Sequence, residues 1–206
     1  MWSEVFAATK PNQSSTLFSQ MLLIPDVIHA DEALLVIDKP AGLLSLPDGH
    51  DATLPHVRRI LEPQFGRLWI VHRLDRETSG IMLLARNEDA HRRLNQQFEN
   101  RQVSKSYHAI VNGNPGWDEI RANFPLRINV GRRKRTAVVR KQGKPATTYF
   151  RLLESFDEHT LLEARPETGR RHQIRAHLFH LGYPILSDPL YGLGGISPLI
   201  SRLALH

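Results

Sequence analysis

A chain of 206 residues, 41% hydrophobic and 23% charged, is long enough for one substantial domain with its own core. It has no cysteine, which excludes disulfides, thiolate nucleophiles and cysteine-based metal sites and fits a reducing, cytoplasmic setting. A formal net charge of +6 favours a polyanionic partner, nucleic acid before an anionic membrane surface, and no apolar run is long enough to span a bilayer.

In chain order, residues 1–22 read as a loose lead-in, polar around Pro11-Asn12-Gln13-Ser14-Ser15-Thr16 and without a signal-peptide core. Residues 23–206 read as one domain, with no internal repeat and no second boundary. Two short strands, 27–30 and 34–37, surround an Asp31-Glu32 turn, and Lys39-Pro40-Ala41-Gly42 ends the second. Lys39 is either a solvated loop side chain or an anion contact. Thr53 predicts an N-cap, with Pro55 just inside a short helix through Val57, Ile60 and Leu61 that Pro63 and Gly66 end.

Apolar runs at 68–70 and 81–85 predict two buried strands. Between them lies Val71-His72-Arg73-Leu74-Asp75-Arg76-Glu77-Thr78-Ser79-Gly80. So many reactive side chains on a loop anchored at both ends suit an enzyme site. Asp75 stands between Arg73 and Arg76, whose charge favours its ionised form; the plainer reading is an exposed turn residue. Asn87 predicts the cap of a helix with Glu88 and Asp89 in its first turn, Arg101 near its end and Ala90, Leu94 and Phe98 as its apolar stripe. Residues 104–111 alternate as a strand, with Tyr107, Ala109 and Val111 on one face. Tyr107 is read either as core or as a phenol beside a flat substrate.

Residues 127–144 carry Arg127, Arg132, Arg133, Lys134, Arg135, Arg140, Lys141 and Lys144 without a carboxylate. This predicts a basic hairpin around a strand at 136–139, either a solvated charged loop or an arm for phosphates. Strands at 147–153 and 160–164 follow. Pro166-Glu167-Thr168-Gly169 then turns into a helix at 170–181 with Ile174, Leu178 and Leu181 inward. Arg171, His172 and Arg175 lie at a helix start suited to an anion, and Gly182 and Pro184 stop the helix.

Taken together, these segments resemble a known family. Lys39-Pro40-Ala41-Gly42, then His72-Arg73-Leu74-Asp75 with Thr78-Ser79-Gly80, then Lys105-Ser106-Tyr107, then Thr168-Gly169-Arg170 with His172-Gln173-Ile174-Arg175 and His177 follow the ordered motifs of the RluA-type pseudouridine synthases. The resemblance runs from about residue 25 to the end. It implies an α+β fold: a mixed, mainly antiparallel sheet with flanking helices and an active-site cleft across it. It also implies isomerisation of uridine in RNA to pseudouridine, with no cofactor and no metal, by a monomer acting on a flipped uridine in a ribosomal or transfer RNA stem-loop. By the same resemblance Asp75 is the catalytic aspartate, Arg175 its basic partner and Tyr107 the tyrosine against the base. Arg73 helps hold the RNA, and the expected RNA contacts are completed by Arg76, Arg132, Arg133, Lys134, Arg135, Arg171 and His172.

Three departures from the family pattern stand out. No S4-like RNA-binding module precedes residue 25, so recognition falls to the catalytic domain and its basic arm. Ser187 stands where the family often has glycine before Asp188. The chain stops at Arg202-Leu203-Ala204-Leu205-His206, which has the alternation of a strand just beginning; the closing strands are expected to be missing and a strand edge left open.

Overall fold

A computed structural model describes residues 23–192 and 195–206, so the expected lead-in at 1–22 lies outside the described residues. The elements run β1 (Asp26–Ala30), β2 (Leu34–Lys39), α1 (Val57–Phe65), β3 (Trp69–Ile70), β4 (Gly80–Ala85), α2 (Glu88–Glu99), β5 (Tyr107–Asn112), β6 (Glu119–Asn123), β7 (Leu126–Val130), β8 (Arg135–Val138), β9 (Thr147–Ser155), β10 (His159–Pro166) and α3 (Gln173–His180).

The strands form two four-stranded sheets, β1-β2-β4-β3 and β5-β10-β9-β6, and a two-stranded ribbon β7-β8. Every strand ladder is antiparallel. Each large sheet follows from a period of two. In β2, Leu35, Ile37 and Lys39 point inward while Leu34, Val36 and Asp38 alternate between them. Leu35 and Ile37 join Met82 and Leu84 of β4, Val57 and Leu61 of α1, Leu43 and Leu68 in one core. In β5, Ala109 and Val111 join Phe150, Leu162 and Ala164 in a second core, closed by Ile174 and Leu178 of α3. β5 starts at Tyr107, three residues later than its alternation suggests.

The helix starts show where local chemistry outweighs simple cap rules. Thr53 does not cap α1: its hydroxyl donates to Asp51 in the preceding turn. The cap is His56, whose Nδ1 accepts from Arg59 N–H at 3.3 Å. Pro63 lies inside α1, which runs on to Gly66, where N–H donates to the Glu62 carbonyl. Asn87 caps α2, accepting from Ala90 N–H at 2.9 Å, while its Ala90-Leu94-Phe98 stripe is only half-buried. α3 begins at Gln173 rather than 170, because His172 takes a left-handed backbone (φ 52°) that no helix continues through.

The last residues join the two sheets. His206 exchanges backbone hydrogen bonds with His108 of β5, and Ile110 N–H donates to the Ala204 carbonyl. The Leu205 carbonyl accepts from Ser79 N–H, next to β4. Further along, Asn112 N–H donates to Pro184. The outer edge of β5 is thus paired at all three positions, and Leu203, Ala204 and Leu205 are buried.

Candidate active site

The loop at 71–79 is held by five ties. Ser45 Oγ donates to the Leu74 carbonyl at 2.8 Å and accepts from Leu74 N–H at 3.1 Å. His72 Nε2 accepts from Leu83 N–H of β4 at 2.9 Å, and its ring stacks on Phe98 of α2 at 4.8 Å. Gly42 N–H donates to the Arg76 carbonyl, and Ser79 Oγ meets His206 Nδ1 at 2.9 Å.

The fifth tie corrects both readings of Lys39, as a solvated loop side chain or as an anion contact. Lys39 is fully buried, and Nζ donates to the carbonyls of Pro40 (2.8 Å), Leu43 (2.9 Å) and Arg76 (3.3 Å). Burial pushes its pKa down to about 8, against the pull of Glu77, Asp75 and Asp38. The three carbonyls account for the ammonium, so Lys39 braces the loop. Its place as the third inward residue of β2, after Leu35 and Ile37, was the sequence signal for this.

This bracing sets Asp75 on the wall of a cavity of about 550 Å³, which Tyr107, Arg175, His172, Arg73 and Arg171 also line. The neighbours of Asp75 in sequence are not its charge partners. Arg76 turns away, Nε donating to the Gly42 carbonyl at 3.1 Å, and does not line the cavity. The basic groups facing Asp75 come from the start of α3: the Arg175 guanidinium, with Nη1 3.6 Å from Oδ2, and the His172 imidazole, with Nε2 4.0 Å from Oδ1.

Arg175 is itself held by a residue that the sequence shows only as part of a turn. Its Nε and Nη2 donate to the two oxygens of Asp188, both at 2.8 Å, in a planar bidentate pair. The Asp188 side chain is fully buried and Arg175 is 3% exposed. Burial alone would lower the pKa of Arg175, but the hydrogen bonds and charge of Asp188, with Asp75 behind it, carry it above its ordinary value. Burial would raise Asp188; Arg175 and the N–H groups of Tyr191 and Leu190 hold it below the usual carboxylate range. The turn that makes this possible needs Gly192, where a Cβ would lie 2.5 Å from the Asp188 carbonyl oxygen. Ser187, in the position where glycine is frequent, takes a left-handed backbone (φ 56°); its hydroxyl donates to the Ile200 carbonyl and accepts from Ser197 N–H, which secures it there.

Tyr191 closes the site from behind. Its hydroxyl accepts from Thr136 N–H and donates to the Thr136 carbonyl, both at 2.9 Å, and lies 3.2 Å from His172 Nδ1. Thr136 belongs to β8, so Tyr191 ties the basic hairpin to the cavity wall. Arg132 and Lys134 are exposed at the hairpin tip. Arg133 donates to the Pro189 carbonyl, and Arg135 lies over the rings of Phe179 and Tyr191. None of these four lines the cavity. Arg171 reaches back to Asn129 of β7 at 3.4 Å. The buried amide of Gln173, which the sequence places in the His172-Gln173-Ile174-Arg175 motif without a role, accepts from Thr168 Oγ1 and Arg170 N–H and donates to Thr147 and Thr148, fixing the turn before α3.

Three ionisable side chains on the wall are neutral near pH 7. Burial, with Asp75 nearby, pushes the Tyr107 phenol up to about 12. Burial, with Lys105 nearby, pushes His72 down to about 4. Burial also pushes His172 down to about 4, opposed by Asp75 and aided by Arg175 and Arg171. The cavity thus offers a carboxylate beside a fixed guanidinium, a protonated phenol and a basic rim.

Residues 33–180 match the family described as RNA pseudouridylate synthase. Ribosomal large subunit pseudouridine synthase D of Pseudomonas aeruginosa is 42% identical over 176 residues, covering 81% of this chain and 53% of the relative. The dual-specificity RNA pseudouridine synthase RluA of Pasteurella multocida is 36% identical over 182 residues, covering 88% and 83%. Of solved structures, human RNA pseudouridylate synthase domain containing 1 matches with a TM-score of 0.76 at 26% identity, covering 90% of this chain and 77% of that one. Human RNA pseudouridylate synthase domain containing 4 matches with a TM-score of 0.70, also at 26% identity, covering 94% and 86%. The chain belongs to the RNA pseudouridylate synthase family. It spans about half the length of the synthase D relative and most of the RluA relative.

Proposed function

We propose that this chain isomerises uridine in RNA to pseudouridine, with Asp75 as the catalytic aspartate. The observation that carries the reading is the Asp75 carboxylate on the cavity wall, 3.6 Å from a guanidinium that Asp188 holds rigid. In the reaction the N1–C1′ bond breaks, the base turns within the cavity and a C5–C1′ bond forms. Asp75 acts as nucleophile toward C1′ or as base toward the 2′ proton, and both roles need a carboxylate fixed beside a cation. Tyr107 lies against the base, its hydroxyl protonated at rest, and assists removal of the C5 proton. The cavity is lined from several elements, so the target uridine is unstacked and turned out of the RNA to enter it.

Arg73 and Arg171 on the cavity wall and Arg132 and Lys134 on the hairpin tip contact RNA phosphates in this reading, and the net charge of +6 supports it. The name of the synthase D relative favours ribosomal RNA, and that of the dual-specificity RluA relative favours more than one RNA target. The protein works as a monomer in the cytoplasm. The test is incubation with RNA carrying tritium at uridine C5. Isomerisation releases tritium with the base retained, a nucleosidase frees uracil, and a binding protein does neither; only the first outcome agrees with the proposal.

A further inference from the structure

Two lysines near the site are drawn out of water, and they differ in what they meet. Lys39 has three backbone carbonyls and three carboxylates nearby, and its role ends within the protein. Lys105, between α2 and β5, has none of this: among the described residues no carbonyl or carboxylate lies within bonding distance of its ammonium. It is half-buried, and burial lowers its pKa with no carboxylate opposing the shift. A half-buried cation without an internal partner keeps its ammonium open to an anion that a ligand supplies.

Its position says which anion. Lys105 lines both the main cavity and a second cavity of about 340 Å³, and the two share His72, Leu74, Phe98, Val103 and Tyr107. Ile81 and Leu83 give the second cavity an apolar wall suited to a base. Arg73 and Arg101, the latter just after α2, also line the main cavity, and both are exposed. A strand of RNA with one nucleotide in the main cavity and its neighbour in the second carries its phosphodiester past the neck between them. A compact ammonium suits a phosphate oxygen as a point charge.

Resting on the isomerase reading, we infer that Lys105 binds the phosphodiester joining the nucleotide in the main cavity to its neighbour in the second. The test uses a short RNA whose two phosphates flanking the target uridine are replaced one at a time by neutral methylphosphonate, with affinity measured against salt. In the wild-type protein one of the two replacements weakens binding, by about tenfold. In Lys105→Met that same replacement costs nothing further, and the slope of log K on log salt falls by about 0.7. Lys105→Arg keeps the sensitivity to the replacement. In turnover, the loss in Lys105→Met falls on KM more than on kcat. If the replacement costs Lys105→Met as much as it costs the wild type, or the salt slope does not change, the assignment is wrong. The affinity measurements read binding alone, so they stand or fall separately from tritium release by the wild type, which tests the isomerase reading.

Discussion

Arg175 holds two carboxylates with one guanidinium: Asp188 through two short hydrogen bonds and Asp75 across 3.6 Å. Removing the cation leaves Asp188 buried and unpaired, a cost on the order of 3–5 kcal/mol. Arg175→Met therefore loses both turnover and stability. Asp188→Asn keeps the shape and one acceptor but frees the guanidinium to swing, so turnover falls further than melting temperature. Measuring both quantities on both variants checks this; an Asp188→Asn protein with wild-type turnover would show that the bidentate pair does not position Arg175. Asp75 and Arg175 were legible in the sequence because each sits in a dense local motif. Asp188 was not, because an aspartate before proline reads as a turn residue, and its burial depends on a partner thirteen positions away.

At the scale of the element, the basic hairpin divides into two kinds of cation. Arg132, Arg133 and Lys134 are exposed, Arg133 also donating to the Pro189 carbonyl, whereas Arg135 is half-buried and covers Phe179 and Tyr191. Neutralising Arg132 and Lys134 together is expected to weaken binding to all RNAs alike, with melting temperature unchanged. The salt slope should fall by about 0.7 to 0.9 for each phosphate that is no longer neutralised. Arg135→Ala is expected to lower melting temperature as well, since it removes packing and a cation–π contact. Salt titrations and thermal melts on the two variants check the division; equal effects on stability would contradict it. Charge density announced this hairpin in the sequence. That Arg135 turns inward was not legible, because Phe179 and Tyr191 reach the hairpin only once α3 and the turn at Asp188 are in place.

For the whole molecule, the cores of the two large sheets are joined by residues 203–206. Leu205 is 3% exposed in the second core, and its carbonyl accepts from Ser79 beside β4 of the first sheet. Leu205→Ala is expected to cost about 2–5 kcal/mol in urea unfolding and to loosen the active-site loop with it; a loss below about 1 kcal/mol would mean that this stretch is not a structural joint. The sequence showed the alternation of Leu203 and Leu205, but the strand it would meet lies about a hundred residues earlier, at β5, a pairing no local pattern encodes. Acid sensitivity is a second property at this scale. His72 and His172 each fall to about 4 in the folded chain, burial being the main cause, against about 6.5 when unfolded. Between these values the unfolded chain binds more protons, so their contribution to stability is complete above about 6.5 and lost as pH falls toward about 4. The urea midpoint should drop over that range, and His72→Gln should flatten the drop; a variant with the wild-type slope would remove His72 from the account.

The central claim is that the Asp75 carboxylate performs the chemistry in the cavity that the rest of the fold braces. Asp75→Asn keeps the size of the side chain and removes its charge. The decisive measurement is tritium release from C5-labelled uridine RNA by this variant beside the wild type, with RNA affinity measured on the same samples. The account predicts release by the wild type, none above background by Asp75→Asn, and affinities within a few-fold of each other. Turnover by Asp75→Asn near the wild-type rate would contradict it.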